Sequence, residues 1–162
     1  MKENETINLG KLYSQVNLID TQCKTLGLHE SKIQELGIWT VNKDMSKLLP
    51  INFDLEISKV KSDHYKDGAW CIILEMKELI KPMNLGILGK KFAEIKKAGN
   101  LMNLTDSKLG KFHIYEITLQ GILQKINFSV ELRKVKKDGT FVGGNAIIFE
   151  RKSETGKLIK IN

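Results

Sequence analysis

The sequence predicts an α+β fold made by tandem duplication of one α-β-β-β unit, and three observations predict it. Residues 51–77, INFDLEISKVKSDHYKDGAWCIILEMK, align without a gap on residues 126–152, INFSVELRKVKKDGTFVGGNAIIFERK, with 13 identities in 27 positions. Residue frequencies alone would give roughly two. Upstream, the stretch from Asn8 aligns with the stretch from Asn84 in its apolar spacing, the offset changing by one residue between the two blocks. Each copy also passes from a helical to a strand period in the same order. We therefore expect two repeats, residues 1–80 and 81–162, related by a pseudo-twofold axis within one compact body. The expected sheets are antiparallel with helices packed on one face, as one broad curved sheet or two small sheets packed together. A period of this length suits a duplicated small domain and is too long for a solenoid repeat.

The elements follow in chain order. Leu9, Leu12, Tyr13, Val16, Ile19, Cys23 and Leu26 recur at three- and four-residue steps, which puts them on one helix face, and Gly27 supplies a left-handed stop. The second copy repeats the stripe as Leu85, Leu88, Phe92, Ile95 and Met102, with Pro82 before the helix and Gly99 near its end. Three strands are expected per copy. The first is Ile38–Asn42, matched by KFHIYEITL, and the second starts at Ile51 or Ile126. The third is AWCIILEM or NAIIFER. In the second strand Phe53, Leu55 and Ile57 share a parity that Val60 breaks, and Phe128, Val130 and Leu132 share one that Val135 breaks, which predicts a β-bulge. The third strand is apolar on both parities and needs cover on both faces, the second cover being expected from the partner repeat. KLIKI, after SETG, is a candidate final strand.

Composition bounds the rest. A chain of 162 residues with 41% hydrophobic content can bury one sizeable core. The N-terminal MKENETIN is charged where a signal peptide would be apolar, and no apolar run is long enough to cross a bilayer, so a cytoplasmic protein with no membrane partner is expected. Cys23 and Cys71 read as reduced structural thiols, since Cys71 is matched by Ala146.

Apparent motifs reduce to scaffold. Gly139–Gly144 has the wrong spacing for a phosphate loop and reads as a hairpin, with Asp138-Gly139 as its turn. His29, His64 and His113 lack ligand-spaced neighbours, so no metal and no cofactor are expected. The group around His64 cannot converge on one strand face, and no catalytic residue is nominated. Glu56 with Glu131 and Glu75 with Glu150 recur in both copies, as do Lys59, Lys61, Lys134 and Lys136, and cross-strand ion pairs account for them.

Charge separates the copies. Residues 1–80 carry 10 Lys against 12 acids, a net −2, whereas residues 81–162 carry 14 Lys and 2 Arg against 7 acids, a net +9 within a chain total of +7. Positions that differ between copies are read as functional, and the differences are mostly cationic gains. The nominated binding residues are Lys90, Lys91, Lys96, Lys97, Arg133, Lys134, Lys136, Lys137 and Arg151, with the four α-helical lysines opposite the core stripe and beside the Arg133 hairpin. The first functional reading is a non-catalytic, weakly sequence-specific nucleic-acid (DNA or RNA) binder, with Phe112, Tyr115 or Phe141 stacking on bases. The alternative is an adaptor or inhibitor docking on an acidic protein surface, of a kind carried by phage or other mobile elements. A small-ligand carrier or enzyme with a pocket between the repeats is the third.

Overall fold

Why the chain needs two sheets becomes clear from where its strands find partners. The computed structural model describes residues 7–42, 47–62, 65–77, 82–118, 120–135, 144–152 and 158–160. Helix α1 (Leu9–Thr25) is followed by a short α2 (Glu30–Glu35) and by β1 (Ile38–Asn42), β2 (Lys47–Pro50), β3 (Phe53–Ser62) and β4 (Tyr65–Met76). The order then recurs as α3 (Leu85–Leu101), α4 (Asp106–Gly110), β5 (Ile114–Ile117), β6 (Ile122–Lys125), β7 (Phe128–Val135) and β8 (Gly144–Arg151), and β9 (Leu158–Lys160) closes the chain.

The architecture is mixed α+β with two sheets and four helices among the described residues. One sheet has the order β2-β1-β8-β7, the other β3-β4-β5-β6-β9. Each sheet thus takes one hairpin from before residue 80 and one from after it. The joins between hairpins are parallel, Ile38–Thr40 beside Ile147–Phe149 and Ile114–Glu116 beside Ile72–Leu74. Antiparallel sheets were expected, so the joins are a correction. A local period reports a strand but not its neighbour, and strands this far apart in sequence leave no local trace of their pairing. The expected three strands per copy become four, because β2 and β6 are only four residues long and too short to establish a period.

The two longer hairpins have the same register. Phe53 faces Met76 and Phe128 faces Arg151, and the match continues to Val60 facing Ala69 and Val135 facing Gly144. The bulge expected at Val60 is present as a register shift between Val60 and Ser62. Its counterpart beyond Val135, the Asp138-Gly139 turn, Phe141 and His64 lie outside the described residues.

Local chemistry starts and stops the helices. Asn8 and Asn84 cap α1 and α3, their side chains accepting from the amides of Lys11 and Ile87 at 2.8 and 2.9 Å. After α1, Gly27 adopts φ 83° as expected, but after α3 the left-handed residue is Asn103, at φ 62°. Gly99 lies near the end of α3, as expected, and an added Cβ there would sit 2.7 Å from Leu109. The expected stripes are buried at Leu9, Leu12, Ile19, Cys23, Leu85, Leu88 and Ile95, whereas Leu26 is exposed.

α1 rests on β7 and α3 on β3, so each long helix covers a strand from the opposite part of the chain. The main core lies between these helices and the sheets. Phe53 and Phe128, expected at equivalent buried positions, are 0% and 1% exposed and meet around Phe149, at ring-centroid distances of 5.7 and 4.5 Å. Both faces of β4 are buried, as expected, and the second face is covered from residues 81–162, as anticipated, by strands of β4's own sheet. Ile72 and Leu74 enter the main core, while Cys71 and Ile73 join Tyr115 and Leu123 in a separate cluster. The sheet's edge strands, β3 and β9, come together, so the sheet curls around this second cluster.

Truncating Phe53 or Phe128 to Ala should each cost about 3–5 kcal/mol, read from urea unfolding. Expressed apart, residues 1–80 and 81–162 should each lack a cooperative thermal transition as monomers, and mixing them should restore one. A cooperative transition in either monomeric fragment would show that sheet sharing is not required for folding.

Candidate partner-binding surface

The nominated cations divide by the carboxylates that meet them. Lys91 leaves the outward side of α3 and reaches β3, where its Nζ lies 2.8 Å from Asp54 Oδ1. Asp54 also accepts from the Leu55 amide at 2.9 Å. Burial alone would raise the Asp54 carboxyl, but the hydrogen bond and charge of Lys91, helped by that amide, hold it below its ordinary value. The alignment matches Lys91 with Gln15 and Asp54 with Ser129. There Gln15 Oε1 accepts from the Val130 amide at 2.9 Å, on β7. β3 and β7 both end the strand order of their sheets, and in each a helix side chain is committed to that strand, Gln15 to a backbone amide and Lys91 to a side-chain carboxylate. Lys91 is therefore a structural residue.

Arg151 is tied across the sheets. Its guanidinium nitrogens donate to both oxygens of Glu116 on β5, at 2.8 and 2.6 Å, and the group lies 5.9 Å from the Phe149 ring centroid. Glu116 is 8% exposed, and Gln124 adds a longer bond at 3.4 Å. The aligned positions carry Met76 and Thr40, so the acid and the base occur together after residue 80 and are absent together from the aligned positions before it. Arg133 pairs with Glu131 on its own strand and lies 3.6 Å from Glu150 across the hairpin, so among the described residues these glutamates meet Arg133, a position that differs between the aligned stretches, where repeated lysines such as Lys134 were expected. Lys152 approaches Glu150 from the other side at 3.7 Å.

What remains lies mainly on α3. Lys90 and Lys97 are exposed, seven residues apart on the solvent side of the helix, with Leu101, at 79% exposure, one turn beyond. Among the described residues neither lysine has an ion-pair partner, and the same holds for exposed Lys134. Lys136 and Lys137 lie outside the described residues. Since α3 covers β3 and β7 lies under α1, the helix lysines and Arg133 belong to different neighbourhoods, a correction to their expected adjacency.

Lys96 takes a third direction. It lines a groove of about 380 Å³ between α1 and α3, together with Tyr13, Val16, Asn17, Gly89, Phe92 and Ala93. Tyr13 meets Phe92 edge-on at 4.7 Å, and its buried hydroxyl has no hydrogen-bond partner among the described residues. Burial, with Asp106 nearby, raises the phenol above its ordinary value. Lys96 Nζ lies 6.0 Å from the Tyr13 ring centroid and 3.8 Å from Asp106, an exposed pair. Sequence spacing gave no sign of this groove, because its walls come from helices some seventy residues apart.

The aromatic side chains nominated for base stacking are placed differently. Tyr115 is buried at 2% exposure and Phe112 packs against the main core. Both thiols are buried, and burial pushes Cys71 up to about 11, so it stays protonated at neutral pH. Among the described residues no three His, Cys, Asp or Glu side chains cluster as a metal site, and no helix is long and apolar enough to cross a membrane. Comparisons of the chain with protein families, curated proteins and solved structures find no match.

Replacing Arg151 by Met should leave Glu116 buried without its counter-charge. We expect a loss of about 2–3 kcal/mol in urea unfolding, below the full buried-pair effect because part of Arg151 faces water. Adding Glu116→Thr, the residue of the matched position, should recover most of the loss.

Proposed function

We propose that the chain is a tandem duplication, residues 1–80 and 81–162, whose units exchange hairpins about a pseudo-twofold axis. Supporting this reading, the two parallel joins use matched residues, and the backbone bonds around them recur. The Ile7 amide donates to the Ile126 carbonyl and the Met83 amide to the Ile51 carbonyl, at 3.2 and 3.0 Å. The Ile38 amide donates to Met83 and the Ile114 amide to Ile7, at 2.8 and 3.0 Å.

On this scaffold we propose a non-catalytic binding function, in the cytoplasm, for which the partner is an acidic protein surface docked on the outward face of α3. The observation that carries it is the residue of charge after pairing. Lys91, Arg133 and Arg151 have carboxylate partners, whereas Lys90 and Lys97 face solvent beside the exposed Leu101. Glu94 lies between the two lysines on the same face but within ion-pair distance of neither, and a leucine next to such lysines suits a partner with both apolar and acidic groups. Nucleic acid is the second reading, favoured by the +9 net charge of residues 81–162. The buried Tyr115 and core-packed Phe112 weigh against its stacking component.

The test is retention of partners from a nuclease-treated extract of the protein's own cells. The parent and the Lys11→Glu/Lys32→Glu variant should retain a common protein that Lys90→Glu/Lys97→Glu loses. Equal losses from both variants would mean general charge attraction. If the parent instead retains only nucleic acid from untreated extract, with binding falling steeply as salt rises, the second reading replaces the first.

A further inference from the structure

We infer that the groove between α1 and α3 is the anchor pocket of this docking face, receiving one aromatic or branched aliphatic side chain from an acidic segment of the partner protein. The inference rests on the acidic-partner reading and specifies how that partner is held.

Three features of the groove argue for an occupant. The first is Gly89, in the interior of α3, where glycine weakens a helix relative to alanine. A Cβ built there would meet nothing within 4 Å, so packing within the chain does not require the glycine. Gly99 of the same helix differs, because Leu109 fills the space above it. What Gly89 leaves open is the groove. Second, the walls are apolar at Val16, Phe92 and Ala93, and a volume of about 380 Å³ lies at the small end of the range for ligand sites. That suits one side chain better than an extended ligand.

The third feature is polar. The Tyr13 hydroxyl is buried without a partner among the described residues, so the polar group that an occupant of the groove can reach is Lys96. Lys96 stands over the Tyr13 ring, and its pair with Asp106 is long, at 3.8 Å, and exposed. Such a pair is weak, so Lys96 can turn to a carboxylate beside the anchor at little cost. Asp20, on the α1 side, is occupied by Lys24 at 3.0 Å. With Lys90 and Lys97 farther out on α3, carboxylates flanking an apolar residue are the complementary pattern.

The experiment titrates the isotopically labelled full chain with three nine-residue peptides, each of glutamates around a central Trp, Leu or Ala, and follows amide chemical shifts. The Trp and Leu peptides should shift the amides of Val16, Asn17, Gly89 and Phe92 and bind about tenfold to a hundredfold more tightly than the Ala peptide, as burial of one large apolar side chain requires. Gly89→Leu fills the groove from within. It should abolish the preference without lowering the thermal midpoint, and Ala93→Phe provides a second way to fill it. If the three peptides bind equally and Lys90→Glu/Lys97→Glu abolishes binding, the groove is not the anchor site and the acidic-partner reading stands. A preference that survives in both filled variants overturns the groove assignment too. Absence of binding by every peptide at low salt overturns both. Tighter binding by a single-stranded oligonucleotide, shifting the same amides, assigns the face to nucleic acid instead.

Discussion

The parallel joins are the constraint on which the rest of the molecule depends. β1 and β2 make an antiparallel ribbon of five and four residues, and isolated two-stranded ribbons of that size are marginal in water. Each short ribbon becomes part of a sheet only by lying beside the inner strand of a longer hairpin, at β8 for one and β4 for the other. Those inner strands are apolar on both faces and would be left with an unpaired edge without the ribbon. Ribbon and hairpin therefore stabilise each other across most of the chain length. Entropy is lost in bringing them together before the contacts repay it, which makes this a fold of high contact order.

Placement of the helices follows from the same sharing of sheets. With β7 and β3 on the sheet edges, α1 and α3 lie over strands distant from them in sequence, and their apolar stripes meet one main core around Phe53, Phe128 and Phe149. The groove forms where the two helices stand side by side without closing on each other. Tyr13 and Phe92 fill its depth, and Gly89 withholds the side chain that would fill the rest.

Charge follows geometry more closely than it follows composition. Lysine at position 91 comes with aspartate at 54, and arginine at 151 comes with glutamate at 116, while the matched positions carry Gln15 with Ser129 and Met76 with Thr40. A partly buried cation is tolerated where a carboxylate meets it, so these differences arise in pairs. Reading every difference between the aligned stretches as functional overlooked that rule. Lys91 and Arg151 carried the same signal as Lys90 and Lys97, because a sequence shows the cation and not what faces it.

Local chemistry was legible in the chain: both long helices, their apolar stripes, β1 to the residue, the long hairpins, the bulge after Val60 and the burial of Phe53 and Phe128. These follow from backbone chemistry and from periods of two and 3.6 residues, which act over a few positions. Which hairpins share a sheet, which helix covers which strand, that the second sheet curls around its own cluster, and which cations remain unpaired among the described residues were settled by long-range contacts. They also made the α1–α3 groove. Each of these depends on residues far apart in the chain meeting in space, and such contacts impose no repeat on the local pattern.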